Sequence, residues 1–249
     1  MGKEKRALTK GEKNVIKIMI LVAIAVFGVF AWTLYANDYY RAEAVAKKAV
    51  RGTENISVEE KEGYYLFSAK EETDKAIVFY PGGKVDEVAY APLLLSFAEN
   101  GYDVYLVKMP AKLAVLDMNA AEAIFQEATH ITEWTMMGHS LGGAMAASFS
   151  AAHDEEVDQL VLLAAYSTED LTEKEIDVFS FYGTEDKVLN LEKYAQYYEN
   201  LPEDLIEEVI EGANHANYAY YGAQDGDGKA TITREEQQEC VLDIFLGGK

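Results

Sequence analysis

Residues 136–146 read MMGHSLGGAMA, with Ser140 flanked by Gly138 and Gly142. A serine hydroxyl is a weak nucleophile, and chemistry at it needs an exposed oxygen on a rigid support with a base within reach. A sharp turn from strand to helix gives that exposure, and it forces the positions two before and two after the serine into close contact with their surroundings. Glycine at both positions removes the clashes. The preceding EWTMMG is apolar and strand-like, and the following LGGAMAASFSAAHD is a helix whose Ala144, Ala146 and Ala147 permit close approach to a sheet. The chemistry this predicts is attack on a carbonyl by Ser140.

Such a nucleophile needs a base, and the chain has four histidines. His139 adjoins the serine and points elsewhere, which suits a structural role. His130 and His153 lie in polar surroundings at helix ends and are expected to be solvated. His215, in EGANHANYAYYG, directly follows a strand-like run and is the candidate base. The imidazole in turn needs a carboxylate that holds its tautomer and stabilises the imidazolium. The strand DVFSFYG runs into GTEDKV, which offers Asp186, with Glu185 as the alternative. Two backbone donors for an oxyanion are expected from Leu141, directly after the serine, and from Gly83 in FYPGGKVD, where Gly82 also allows close approach.

Elements that would position these residues alternate along the chain. GYYLFSA, KAIVFY, YDVYLVK, EWTMMG, VDQLVLLAA, DVFSFYG and EDLIEEVIEG are strand-like. Between them lie helices over VDEVAYAPLLLSFAENGY, within 113–129, after Ser140, over LNLEKYAQYYENLP and over 231–246. The alternation implies an α/β domain with a mostly parallel sheet covered on both faces. Ligand sites in such sheets lie at the carboxyl ends of the strands, so each catalytic residue must fall just after one.

The composition, 49% hydrophobic and 26% charged over 249 residues, is that of a globular protein. One stretch departs from it: residues 18–36, IMILVAIAVFGVFAWTLYA, carry no charge. At about 1.5 Å per residue they nearly span a hydrocarbon core of about 30 Å. Six basic residues, from Lys3 to Lys17, precede this span, with Arg41, Lys47, Lys48 and Arg51 beyond it. The expected division is a basic cytoplasmic tail (1–17), a transmembrane anchor (18–36), a juxtamembrane helix and linker (37–55) and an outward-facing catalytic domain (56–249). A cleaved signal peptide is the alternative. Beyond residue 36 the chain holds 16 basic against 41 acidic residues, a formal net charge of −25, which repels nucleic acid and anionic lipid headgroups. A lone Cys240 excludes an intrachain disulfide.

The blocks FYPGGKVDEVAYAPLL, VKMPAKLAV, GHSLGGAMAA, LLAAYST, YGTEDKVLN and GANHANYAYYGAQDGDG together resemble the alpha/beta-hydrolase superfamily. Within it they look like the small group called alpha/beta-hydrolase fold 5, related to dienelactone-hydrolase-like proteins. The resemblance runs over roughly residues 40–246. It implies the alpha/beta-hydrolase fold, and it carries nucleophile, acid and base onto Ser140, Asp186 and His215. Two departures stand out. Only Tyr166 to Ile176 fills the place where many relatives insert a cap, so an open site is expected, and Ser140 stands where dienelactone hydrolases are expected to carry cysteine. The expected activity is a carboxylesterase acting on a small-molecule ester, with amidase or peptidase action and a non-catalytic binding module as rivals. No cofactor or metal is expected. Asp225 and Asp227 in GDGKATITREE invite a calcium reading, but Lys229 and Ala230 occupy positions where a calcium loop needs an oxygen ligand and a glycine. A turn followed by a helix starting near Thr233 suits the stretch better.

Overall fold

The computed structural model describes residues 9–247, which divide into two units, one ending at Asp38 and the other starting at Tyr39. In the first unit, a single helix, α1 (Lys10–Asn37), is opened by a capping box. Glu12 N–H donates to Thr9 Oγ1 at 3.2 Å, and Thr9 N–H donates to the Glu12 carboxylate at 2.8 Å. The helix has 28 residues, a mean hydropathy of 2.6 over its most apolar window and no buried residue, and it is long and apolar enough to cross a membrane. Lys10, Lys13 and Lys17 fall in its first turns, whereas Lys3, Lys5 and Arg6 lie outside the described residues.

The second unit is built on one eight-stranded sheet: β1 (Ile56–Glu60), β2 (Tyr64–Ala69), β3 (Lys75–Tyr80), β4 (Asp103–Val107), β5 (Glu133–His139), β6 (Gln159–Leu163), β7 (Asp177–Gly183) and β8 (Ile206–Ile210). Their order is β1-β2-β4-β3-β5-β6-β7-β8, antiparallel only where β1 meets β2 and β2 meets β4. Helices α2 (Ala44–Ala49), α3 (Ala91–Glu99), α4 (Ala121–Glu127), α5 (Leu141–Ala152), α6 (Leu191–Tyr197) and α7 (Arg234–Phe245) complete it.

Because successive strand residues point to opposite faces, β3 serves two cores. Ile77 and Phe79 join Leu93, Leu94 and Phe97 of α3 and Phe245 of α7, while Ala76, Val78 and Tyr80 join Ile124 of α4 and Ala146, Ala147 and Phe149 of α5. The continuous apolar strands seen in the sequence therefore reflect burial on both sides. Of residues 37–55, expected as a juxtamembrane helix and linker, those from Tyr39 onward belong to this unit, and Ala44–Ala49 form the helix α2. Tyr40 N–H donates to the Lys84 carbonyl at 2.8 Å, Glu43 N–H donates to the Tyr220 carbonyl at 2.8 Å, and Ala46 of α2 is buried. The connection from β6 to β7, residues 164–176, contains neither helix nor strand.

Candidate active site

Ser140 stands between β5 and α5 with φ 52° and ψ −122°, a conformation that costs a non-glycine residue on the order of 1–3 kcal/mol and persists only where its surroundings impose it. The Ser140 N–H donates to the Leu163 carbonyl of β6 at 2.9 Å, which ties the turn to the sheet. Both flanking glycines are required by packing. A Cβ on Gly142 would lie 2.1 Å from the Tyr80 carbonyl oxygen, and one on Gly138 would lie 2.6 Å from the Gly142 carbonyl carbon.

Asp186 and His215 come together after the ends of β7 and β8. His215 Nδ1 and Asp186 Oδ2 are 2.8 Å apart, and both residues are almost wholly buried. The other carboxylate oxygen, Oδ1, accepts the N–H groups of Val188 and Leu189, each at 2.8 Å. Those two bonds hold the Asp186 carboxylate in the orientation that faces His215. The carboxylate within hydrogen-bond distance of His215 is that of Asp186 and not that of Glu185.

Ser140 and His215 line a common cavity of about 270 Å³, with Leu141, Ala144, Tyr166, Val188, Leu189 and Asn190 among the other lining residues. Its walls are mainly apolar and its size suits a short acyl or alkyl group. Gly83 lies beside Leu141: a Cβ placed on it would be 3.0 Å from Leu141 Cδ2. Its neighbours' amides are occupied, since Gly82 N–H donates to Tyr90 Oη at 3.0 Å and Lys84 N–H donates to the Lys112 carbonyl at 2.7 Å. Among the described residues Gly83 N–H has no hydrogen-bond acceptor, and Leu141 N–H, in the first turn of α5, has no carbonyl four residues back inside the helix.

His139 is the residue whose place the sequence did not disclose. It is buried beneath the site, with its ring centroid 4.5 Å from that of His215 and its Nδ1 2.8 Å from Tyr90 Oη. Tyr90 Oη, which also accepts from Gly82 N–H, thus joins the loop of Gly83 to the His139 ring. Burial, reinforced by repulsion from a charged His215, holds the His139 pKa well below its ordinary range. Among the described residues Nε2 has no hydrogen-bond partner. His130 is exposed as expected, with 59% of its side chain accessible. His153 is more enclosed than expected, stacked on Phe149 at 4.2 Å and 3.1 Å from Glu156. Among the described residues no three His, Cys, Asp or Glu side chains are grouped to hold a metal. Asp225 is exposed, and both oxygens of Asp227 accept backbone N–H groups.

Three solved structures illustrate what the fold resembles. A predicted CIB-like hydrolase of Thermoplasma acidophilum is 17% identical with a TM-score of 0.55, covering 77% of this chain and 99% of its own. Carboxylesterase CesB of Bacillus subtilis is 10% identical with a TM-score of 0.58, covering 82% and 96%. Esterase 2 of Thermogutta terrifontis, in a form phosphorylated by paraoxon, is 15% identical with a TM-score of 0.54, covering 78% and 94%. No curated protein matches the chain in sequence. The model of the alpha/beta hydrolase family matches residues 76–239, a span that runs from β3 into α7 and takes in every residue of the site just described, and the chain belongs to that family.

Proposed function

We propose that the protein is a membrane-anchored serine hydrolase that cleaves small carboxylic esters through an acyl-enzyme. The observation that carries this reading is a strained serine sharing one cavity with a histidine whose far nitrogen is 2.8 Å from a buried carboxylate. In this mechanism Ser140 Oγ attacks the ester carbonyl while His215 Nε2 takes its proton. Asp186, fixed by two backbone N–H groups, keeps the Nδ1–H tautomer and stabilises the imidazolium. The oxyanion receives hydrogen bonds from Gly83 and Leu141 N–H, and His215 returns the proton to the departing alkoxide. Water, deprotonated by His215, then releases the acid and restores Ser140. The small apolar cavity and the bare connection over residues 164–176 favour short, accessible esters over lid-gated long chains.

The anchor is α1, with the basic tail cytoplasmic and the catalytic unit outside the cell. An apolar helix with no buried residue is stable in lipid and costly in water. The test uses the full chain in detergent micelles, treated with a fluorophosphonate probe and assayed on short-chain p-nitrophenyl esters. Labelling and turnover are expected in the parent and absent in Ser140→Ala. A folded parent that neither labels nor turns over ester would sink the reading.

A further inference from the structure

The loop before α7 holds a carboxylate that joins the two segments behind the candidate site. Asp227 Oδ2 accepts the N–H of Ala216 at 2.9 Å, and Oδ1 accepts the N–H of Lys187 at 3.3 Å as well as that of Gly228 at 2.8 Å. Ala216 directly follows His215, and Lys187 directly follows Asp186. One side chain therefore holds the residue after each partner of the 2.8 Å Asp186–His215 pair.

The next residue grips the preceding positions. Asn214, just before His215, donates from Nδ2 to the Gly228 carbonyl at 2.8 Å. Against Glu185, just before Asp186, the loop is packed so closely that a Cβ on Gly228 would lie 1.9 Å from the Glu185 carbonyl oxygen. Asp227 and Gly228 thus touch both segments on both sides of the pair. The two segments leave different strands, β7 and β8, so a link across them sets how far apart the carboxylate and the imidazole sit.

We infer that Asp227 is a positioning residue for His215 and Asp186, an inference that rests on the triad reading above. The residue that resembled a calcium ligand in sequence acts here as an anion facing backbone N–H groups. Aspartate suits the place because both of its oxygens accept and neither donates. Asparagine would offer one acceptor and turn an amide donor toward an N–H on the other side. Glutamate would keep the charge on an arm too long to meet both segments.

The experiment compares the parent, Asp227→Ala, Asp227→Asn and Asp227→Glu as full chains in micelles, with ester kinetics and the strongly deshielded NMR proton of the His215 Nδ1–H···Asp186 bond as readouts. For Asp227→Ala we expect kcat to fall on the order of 10- to 100-fold, because small misplacements of catalytic groups cost that much. KM should stay within about twofold of the parent, since Asp227 does not line the cavity. Asp227→Asn should lie between alanine and parent, Asp227→Glu should fail to restore kcat, and the deshielded proton should broaden or vanish in the alanine variant. Full recovery by glutamate would show that only the negative charge matters and would overturn the inference. So would an alanine variant with unchanged kcat and an intact deshielded proton. A parent inactive on every ester, with the proton present in it and lost in Asp227→Ala, would end the hydrolase reading while upholding the positioning role.

Discussion

Tyr90 and His139 connect the loop of Gly83 to the loop of His215 from below, and two predictions follow from how they are satisfied. The Tyr90 hydroxyl accepts from Gly82 N–H at 3.0 Å and lies 2.8 Å from His139 Nδ1, with Tyr90 wholly buried. Tyr90→Phe leaves the buried Gly82 N–H and His139 Nδ1 without their shared partner, which should cost about 1–3 kcal/mol in urea unfolding. Turnover should fall with it, because Gly83 sits on the freed loop. The second prediction concerns pH. The His139 pKa is held well below its ordinary 6.5 by burial first and by His215 second. The unfolded chain therefore takes up a proton near pH 6.5 that the folded chain refuses, and stability falls as pH drops through that value. The contribution is at most one proton, about 1.4 kcal/mol per pH unit. Measured between pH 7 and 5, the unfolding free energy of His139→Asn should decline less steeply than that of the parent; equal slopes would mean that His139 is not buried in its neutral form.

At the scale of elements, α5 meets the end of β3 backbone to backbone at Gly142, and Gly142→Ala is the direct probe of that contact. The added Cβ would meet two backbone oxygens, at 2.1 Å on Tyr80 and 2.4 Å on Pro81, and neither can swing aside as a side chain would. A loss of about 3 kcal/mol, at the upper end for overpacking, should appear in thermal unfolding together with loss of probe labelling. The segment 39–43 is a second such device. Tyr40 pairs with the stretch around Val85, and Glu43 bonds to Tyr220, so it bridges the loops bearing Gly83 and His215. A chain beginning at residue 56 should lose at least about 3 kcal/mol, roughly 1 for each of the three main-chain bonds from Tyr40, Asp86 and Glu43 before the buried Ala42 and Ala46 are counted, whereas one beginning at residue 39 should keep parent stability. The same elements show what could be read beforehand. Strands β3 to β7 announced themselves because burial on both faces demands unbroken apolar runs, and Ser140, Asp186 and His215 each follow a strand. Strand β1 was missed because ISVEE lies at a sheet edge where only Ile56 is buried. The helix expected within 113–129 is α4, and two single turns, Pro110–Lys112 and Ala114–Leu116, lead into it. The structural role of His139 was legible from its place beside Ser140, but its partner Tyr90 and the roles of the 39–43 segment and Asp227 were not, since each depends on contacts between residues distant in the chain that no local pattern encodes.

Across the whole molecule, charge is the property with functional reach. Beyond residue 36 the formal net charge is −25, carried by 41 acidic residues against 16 basic ones. Such a surface sets up a negative potential that lowers the local concentration of anions and raises that of cations, an effect that acts on encounter and not on the bond-making step. Among the described residues the lining of the cavity at Ser140 contains no Lys or Arg to offset it. Two short esters of similar size, one neutral and one bearing a carboxylate away from the scissile bond, separate field from fit. At low ionic strength the anionic ester should show a kcat/KM several-fold below that of the neutral one. Raising salt to about 0.15 M shortens the Debye length to about 8 Å, so the anionic value should rise toward the neutral value while the neutral value stays nearly constant. If instead the two esters respond to salt alike, the field is not felt at the mouth, and discrimination between them lies in the cavity walls formed by Leu141, Tyr166, Val188 and Leu189.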